Sequence, residues 1–230
     1  PEACFACRGR DEMRLVLLGA PGAGKGTQAA LLKEREACVH VSTGDIFRKN
    51  LGEKTPLGLE AKKFMDQGAL VPDDLVLKMV SSRLLEPDAA EGFLLDGFPR
   101  TVPQAEFLES FLTEHHAKLD AVLLFSIDDE ALVRRLSNRR TCRSCGGIFN
   151  LLTMGGAAGA KCPSCGGELR QRDDDQEAVI RNRLKVFHEQ TEPLIAWYRD
   201  RGLLSEIDAS SDPETIYAGV KAALNRHAAP

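Results

Sequence analysis

Short apolar runs and longer amphipathic segments alternate along most of the chain. The apolar runs have the length and composition of buried strands, and they lie at 14–18, 38–41, 93–95, 121–127 and 203–207. Segments with helical periodicity separate them, at about 25–36, 73–86, 101–115, 128–138 and 213–227. Strands that alternate with helices indicate a parallel sheet covered by helices on both faces. The pattern therefore predicts an α/β fold of three layers with a central parallel sheet of five strands.

Two stretches break this alternation. Residues 42–71 have a helical pattern without a strand, and residues 139–176 are rich in glycine, cysteine and arginine. We interpret both as insertions at the carboxyl edge of the sheet, where open α/β folds bind their ligands. The core domain would then comprise residues 13–41, 72–138 and 177–230. Residues 1–12 show no periodicity, and we expect them to form a disordered N-terminal extension before a working start at Met13.

Length and charge argue against several classes of protein. The 230 residues are long for one average domain and short for two, which favours a single α/β unit with insertions. Lys and Arg number 30 against 34 Asp and Glu, and the net charge of −4 argues against a protein that coats nucleic acid or an anionic membrane. No apolar run reaches the roughly 18 residues of a membrane span, and the N-terminus lacks the pattern of a secretory signal. We expect a cytoplasmic monomer.

A glycine-rich segment, GAPGAGKGT at 19–27, follows the first predicted strand and precedes a helix rich in Ala and Leu. Glycines allow successive backbone N–H groups to face one concavity, and the helix N-terminus adds its positive end. A lysine in the position of Lys25 can reach terminal phosphates. A plain glycine-rich turn is the alternative, but the strand, the G-x4-G-K spacing and the helix coincide here. The segment therefore predicts a P-loop.

One departure from the general P-loop is informative, because Gly26 stands between Lys25 and Thr27. In this respect GAPGAGKGTQA resembles the phosphate loop of adenylate kinases, and the resemblance extends over essentially all of residues 13–225. It implies a P-loop three-layer fold with an AMP-binding helical insertion and a lid. It also implies that ATP lies against Gly22, Ala23, Gly24, Lys25, Gly26 and Thr27.

The segment STGDIFR at 42–48 follows the second predicted strand. Ser42 or Thr43 can cap a helix, and Arg48, one turn later, presents a planar donor group suited to phosphate. A capped surface helix with a solvated arginine explains the same residues. The segment resembles the STGDxxR stretch of adenylate kinases, which implies that Thr43 lies against the adenine of AMP and that Arg48 holds its phosphate. By the same resemblance, the sugar and base of AMP are bordered by Ala69, Leu70 and Val71.

The segment DGFPRTVPQ at 96–104 is among the most specific signatures in the chain. An apolar strand that ends in Asp96 places a carboxylate at the edge of the sheet, where it can serve Mg²⁺ through water; a buried capping aspartate is the alternative. The segment resembles an adenylate kinase element whose arginine binds the AMP phosphate and whose glutamine hydrogen-bonds adenine. A primary amide suits a base edge because it offers a donor and an acceptor. The AMP site implied here includes Gly97, Phe98, Pro99, Arg100 and Gln104.

Four of the seven cysteines form two C-x2-C pairs, Cys142 with Cys145 and Cys162 with Cys165, with 16 residues between the pairs. Four thiolates can close a tetrahedron around Zn²⁺. Free cysteines or two disulfides are the alternatives, and a cytosolic enzyme rarely keeps disulfides. A closed four-cysteine site leaves no position for water, so we expect a structural zinc that stabilises the insertion. Adenylate kinases with zinc-containing lids look similar.

Arginines flank the cysteines on both sides, at 134, 135, 139, 140, 143, 170, 172, 181 and 183. A solvated face explains any one of them, and a zinc ribbon with this charge can bind nucleic acid, which is the competing class of function. Against that class, Phe149 is the only aromatic residue between the two cysteine pairs. The resemblance assigns ATP contacts to Arg135, Arg139, Ile148 and Phe149. It assigns Arg172 and Arg183 to the phosphates that pass between ATP and AMP.

Together with these features, the resemblance implies reversible transfer of the γ-phosphoryl group of Mg·ATP to AMP, which gives two ADP. No general base is needed, because the AMP phosphate is already an anion. Catalysis would then depend on positioning and charge neutralisation by Lys25, Arg100, Arg139, Arg172 and Arg183. A nucleoside monophosphate kinase with another donor or acceptor is the alternative, although the resemblance at 96–104 implies AMP in preference to UMP or CMP. We expect Mg²⁺ with ATP, structural Zn²⁺, and no nucleic acid or membrane partner.

Overall fold

The structure is a computed structural model that describes residues 13–36, 38–90, 92–154 and 161–228. The expected N-terminal extension, residues 1–12, lies outside the described residues. Within the described ranges the chain forms eight strands: β1 (Arg14–Gly19), β2 (His40–Ser42), β3 (Phe93–Asp96), β4 (Ala121–Ser126), β5 (Arg139–Cys142), β6 (Ile148–Asn150), β7 (Leu169–Arg170) and β8 (Leu204–Asp208).

Five of these strands form one sheet in the order β2-β3-β1-β4-β8, and every neighbouring pair is parallel. The central strand is β1, where Leu15 is aligned with Leu94 of β3 and with Ala121 of β4. Residues 15–18 are at most 2% exposed, as a strand covered on both faces requires. The predicted α/β fold with a central parallel five-stranded sheet is confirmed.

The described residues also form ten α-helices: α1 (Lys25–Glu36), α2 (Thr43–Gly52), α3 (Pro56–Met65), α4 (Asp73–Leu84), α5 (Pro87–Ala90), α6 (Val102–Glu114), α7 (Asp129–Ser137), α8 (Glu177–Val186), α9 (Pro193–Arg199) and α10 (Pro213–Ala228). A 3₁₀ turn at Asp173–Asp175 precedes α8, and a π-helical turn at Phe187–Thr191 follows it. Pro193 then begins α9, at a position where its missing N–H costs no hydrogen bond.

Alternate side chains of the central strands face two separate cores. Leu15 and Leu17 point to one side, and Val16 and Leu18 point to the other. The first core contains residues of four helices, among them Leu32 of α1, Leu136 of α7, Leu184 of α8 and Val220 of α10. The second contains Val80 of α4, Leu108 of α6 and Tyr198 of α9, among others. Helices therefore cover both faces of the sheet and fix the loops at its edge.

The two segments outside the alternating pattern differ in structure. Residues 42–71 contribute the end of β2 and then α2 and α3, which pack against each other. Residues 139–176 contain a small antiparallel sheet in the order β6-β5-β7. The sequence did not predict these strands, because two to four residues are too few to show an alternation of polar and apolar positions.

In the part of the chain that the structure describes, no helix has both the length and the apolar character needed to cross a membrane.

The contact between α2 and α3 yields the first prediction. Gly58 of α3 is buried, and a Cβ there would lie far inside van der Waals contact with the backbone of Asn50 and Leu51. Since backbone cannot move aside cheaply, we expect Gly58→Ala to lower the free energy of unfolding by about 2 kcal/mol. The melting temperature would fall by about 4–8 °C, measured by circular dichroism.

Gly52 supplies the matched control, because it lies in α2, is exposed, and has no atom of the described residues within 4 Å of an added Cβ. We expect Gly52→Ala to leave stability unchanged or to raise it slightly, since alanine favours helix. Equal melting temperatures for the two variants would show that the close approach at Gly58 is not a constraint on folding.

Candidate active site

A cleft of about 710 Å³ lies at the carboxyl edge of the five-stranded sheet. Its walls come from the loops after β1 and β3, from α2, from the small sheet and from α8. Every nucleotide-site residue expected from the sequence lines this cleft except Ala23 and Phe98. The side chains of these two are 1% and 0% exposed and belong to the cores. The structure thus brings together residues that lie up to about 160 positions apart in sequence.

The glycine-rich loop leads directly from β1 into α1. Gly22 and Gly24 have φ angles of +88° and +93°, a region that side chains with a Cβ rarely adopt. The backbone N–H groups of Thr27 and Gln28 donate to the carbonyl of Gly24, which closes the first turn of α1. The loop therefore wraps the N-terminus of a helix, as a phosphate site requires.

Lys25 projects from this loop into the cleft. Its Nζ donates to the carbonyl oxygens of Gly19 and Ala20, at 2.6 and 2.9 Å. The pKa of Lys25 is lowered to about 8, mainly by desolvation; the charges of nearby arginines contribute to this shift and Asp96 opposes it. Its bonds in this structure are to neutral carbonyls, so an anionic group in the cleft would stabilise its charge.

Asp96 ends β3 and lies beside the glycine-rich loop, 3.8 Å from the position of a Cβ on Gly26. Its Oδ2 is 3.7 Å from Nε2 of His40. Burial alone would raise the pKa of Asp96, but His40 and the ammonium group of Lys25 outweigh it, so that pKa lies below its usual value. Asp96 is therefore ionised at neutral pH.

The start of α2 contributes one side of the cleft. Ser42 caps this helix by accepting from the backbone N–H of Asp45 at 3.2 Å, as predicted. Thr43 donates through its hydroxyl to the carbonyl of Gly97 at 2.9 Å. Arg48 is paired with Asp45 at 2.6 Å, a partner that the sequence analysis did not identify.

The loop after β3 faces Thr43 and carries Arg100. The Nε of Arg100 donates to the carbonyl of Gly97 at 3.0 Å. Desolvation, with the charge of Arg183 added, lowers the pKa of Arg100 to about 10. Beyond it, Gln104 is 2% exposed and accepts from the backbone N–H of Arg100 at 2.8 Å. Residues 69–71 also line the cleft.

Three arginines from the small sheet and the segment that follows it enter the cleft. Arg139 makes two parallel bonds to Asp175, at 2.8 and 2.6 Å, and Asp175 is fully buried. Arg183 pairs with Asp174 at 2.9 Å. Arg172 donates to the hydroxyl of Thr141 at 3.0 Å, and desolvation together with the neighbouring arginines lowers the pKa of Arg172 to about 10. Two of the three thus have carboxylate partners within the described chain.

Apolar residues of β6 also line the cleft. Ile148 and Phe149 of β6 line it, and Ile148 is 49% exposed. Arg135 lines it as well, but its guanidinium donates to the carbonyl groups of Ala209 and Ser210, at 2.8 and 3.2 Å. Arg135 therefore also fixes the loop after β8, whose residues Ser211 to Pro213 form a wall that the sequence analysis did not identify.

Outside the cleft, the four cysteines of the two C-x2-C pairs meet in one cluster. Their sulfur atoms all lie within 4.8 Å of one another, and the distances from Cys142 to Cys165 and from Cys145 to Cys162 are 3.5 and 3.6 Å. Sulfur ligands about 2.3 Å from a tetrahedral metal lie roughly 3.8 Å apart. Hydrogen bonds to its sulfur, first that from the backbone N–H of Cys145, lower the pKa of Cys142 to about 6. This cluster has the donor set and the spacing for a metal ion.

Comparisons with known proteins agree with this geometry. A family model described as "Adenylate kinase" matches residues 17–203. The chain belongs to the adenylate kinase family. It is therefore an enzyme of the phosphotransferase class and a nucleotide-binding kinase. The cysteine cluster fits the zinc-containing type within this family.

Curated relatives support the same assignment. An adenylate kinase of Methanocella arvoryzae is 50% identical over 214 residues, which cover 93% of this chain and 99% of the relative. An adenylate kinase of Syntrophobacter fumaroxidans is 49% identical over 212 residues, with 92% and 100% covered. An adenylate kinase of Archaeoglobus fulgidus is 45% identical over 214 residues, with 93% and 99% covered.

Within this family framework, the residues missed by sequence reasoning are mainly the partners of the cations. Asp45, Asp174 and Asp175 hold arginines of the cleft, and His40 lies beside Asp96. The pair of Arg139 and Asp175 spans 36 positions, and no spacing rule connects residues so far apart. The acidic run at 173–175 was a signal, but it did not indicate which carboxylate turns inward.

The buried pair of Arg139 and Asp175 yields the second prediction. Removing the charge of Asp175 leaves Arg139 without a matching anion in a site where its side chain is 16% exposed. We expect Asp175→Asn to lower the free energy of unfolding by about 3 kcal/mol, measured by urea denaturation. Asp173, exposed in the same 3₁₀ turn, is the control: Asp173→Asn should change stability by less than about 0.5 kcal/mol. An equal loss of unfolding free energy in the two variants would contradict the stabilising role given to the pair of Arg139 and Asp175.

Proposed function

We propose that this member of the adenylate kinase family transfers the γ-phosphoryl group of Mg·ATP reversibly to AMP, which gives two ADP. The observation that carries the proposal is the convergence of cations from three parts of the chain. Lys25 of the phosphate loop is close enough to Arg100, Arg139 and Arg183 for each of their charges to lower its pKa. A site that holds two phosphate chains end to end needs this arrangement.

The donor nucleotide fits the side of the cleft formed by the glycine-rich loop. Backbone N–H groups at the start of α1 and Lys25 would hold its β- and γ-phosphates. Its base would lie toward Ile148, Phe149 and residues 211–213, which line the cleft. Asp96, ionised beside the loop, would hold hydrated Mg²⁺ through water, and this ion would neutralise charge on the phosphates.

The acceptor fits the opposite side, between α2 and the loop after β3. Arg48 and Arg100 would hold the phosphate of AMP, and Thr43 would lie against its base. Residues 69–71 and Gln104 line the part of the cleft where the sugar and base would lie. Arg48 must then exchange Asp45 for the phosphate, which is a stronger and doubly charged partner.

The transfer itself requires positioning and charge neutralisation. The acceptor oxygen is already anionic at neutral pH, so no residue has to remove a proton. Arg139, Arg172 and Arg183 would neutralise the phosphoryl group as it moves. Adenylate kinases generally close a lid over the reactants. For this chain we propose residues 139–176 as that lid, residues 42–71 as the AMP-binding insertion, and the rest of 13–230 as the core.

The four-cysteine cluster would hold a structural Zn²⁺. A divalent cation would offset the repulsion that arises when several thiols ionise side by side. The cluster lies away from the lining of the cleft, which favours stabilisation of the small sheet over catalysis. The cytoplasmic location, the monomeric state and the lack of nucleic acid or membrane partners stay predictions.

A panel of nucleoside mono- and triphosphates in a coupled assay tests the function. We expect AMP to be the preferred acceptor when ATP is the donor. We expect the Lys25→Met variant to transfer phosphate at about 1% of the wild-type rate or less. Lys33 lies on the same helix and is exposed, so Lys33→Met should retain wild-type turnover. Preference for UMP or CMP would overturn the proposed acceptor, and near-normal turnover of Lys25→Met would overturn the proposed role of the loop.

Metal analysis tests the zinc site. We expect one zinc per chain, and a fall in melting temperature of about 5 °C or more on chelation, with a smaller effect on activity at low temperature. Cys145→Ser should lose the metal, whereas Cys38→Ala, which changes a cysteine outside the cluster, should retain it. Metal-free protein that is equally stable but inactive would show that the site is catalytic instead.

A further inference from the structure

Asp73 lies at the start of α4, but its carboxylate does not cap that helix. The cap position is Pro72, and it makes no side-chain cap bond. Asp73 instead reaches the start of α6, where its Oδ1 accepts from the side-chain Nε2 of Gln104 at 2.6 Å. Its Oδ2 lies 3.5 Å from the hydroxyl of Thr101, the residue that caps α6. Asp73 therefore connects α4 to the loop that carries Arg100.

Gln104 is held at both ends of its carboxamide. While Nε2 donates to Asp73, Oε1 accepts from the backbone N–H of Arg100 at 2.8 Å. Rotation of the amide by half a turn would place the carbonyl against a carboxylate and the amino group against an N–H donor. Because the side chain is 2% exposed, water cannot compensate for either loss. The amide has one permitted orientation.

That orientation decides which base edge the amide can bind. After these two bonds the carboxamide retains one N–H and one acceptor position, and Gln104 lines the cleft. Adenine presents an amino donor beside a ring nitrogen that accepts. Hypoxanthine presents the reverse, an oxygen that accepts beside an N–H that donates. A rotated amide would match hypoxanthine as well as the observed amide matches adenine.

We propose that Asp73 is a positioning residue that sets the specificity for a 6-aminopurine acceptor by locking the Gln104 amide. The proposal rests on the proposed function, since it concerns the base of the acceptor nucleotide. Asp73 does not itself line the cleft, so it acts through Gln104 and not by contact with the nucleotide. An aspartate is suited to this task because a carboxylate can only accept hydrogen bonds, so it binds the amino group of the Gln104 amide. The amide of an asparagine could present either its oxygen or its amino group to Gln104.

The test is the ratio of kcat/KM for AMP to kcat/KM for inosine monophosphate, measured with ATP as donor. We expect Asp73→Asn, which keeps the size of the side chain, to lower this ratio by about tenfold. Most of the change should be a higher KM for AMP, with kcat at saturating AMP within about twofold of wild type. In a Gln104→Leu background, Asp73→Asn should produce no further change in the ratio.

Asp74 provides the matched control. It occupies the same first turn of α4 and carries the same charge, but it is exposed and lies outside the cleft lining. Asp74→Asn should keep the wild-type ratio. If Asp73→Asn lowers stability or kcat but keeps the ratio, Asp73 is structural and the proposal is overturned. Wild-type protein without a preference for AMP overturns the proposed acceptor, whereas a wild-type preference that survives in Asp73→Asn overturns only the role of Asp73.

Discussion

The cleft contains more desolvated positive charge than negative charge, and this imbalance governs the rest of the site. In the described lining, lysine and arginine side chains outnumber carboxylates. Desolvation is the leading cause of the lowered pKa of Lys25, of Arg100 and of Arg172. Folding must therefore stabilise cations that would prefer water, and a polyphosphate that enters the cleft relieves that cost. Under the proposed function, the same desolvated cations would bind the phosphates and neutralise charge during the transfer.

The parallel sheet is what makes such a concentration of charge possible. The neighbouring strands β1 and β3 are aligned so that Leu17 lies beside Asp96, and the loops that follow them open at the same edge. One loop contributes Lys25 and the other contributes Arg100. The two cores on either face hold these loops in place. The small sheet and α8 add their arginines from outside, already paired with Asp174 and Asp175.

The sequence predicted the elements whose signals are local. The buried strands, the helices between them, the glycine-rich loop and the two cysteine pairs each occupy a short window with its own pattern, and the structure places them as expected. The strands of the small sheet were too short for a period to be visible. The partners of the cations could not be predicted either, because a carboxylate and the cation it pairs with can lie far apart in sequence and meet only in the folded chain. Asp73 and Gln104, 31 positions apart, illustrate this limit.

The ion pair of Arg139 and Asp175 has a consequence for how the chain can vary. Arg139 begins the small sheet and Asp175 ends the turn that follows it, so the pair fastens the entry of this excursion to its exit. Gln171 reinforces the junction by donating to the carbonyl groups of Ser137 and Asp175. A change of sequence length between these two ends would therefore leave the register of the five-stranded sheet unchanged. The ion pair thus makes the two ends of the small sheet a fixed junction with the rest of the chain.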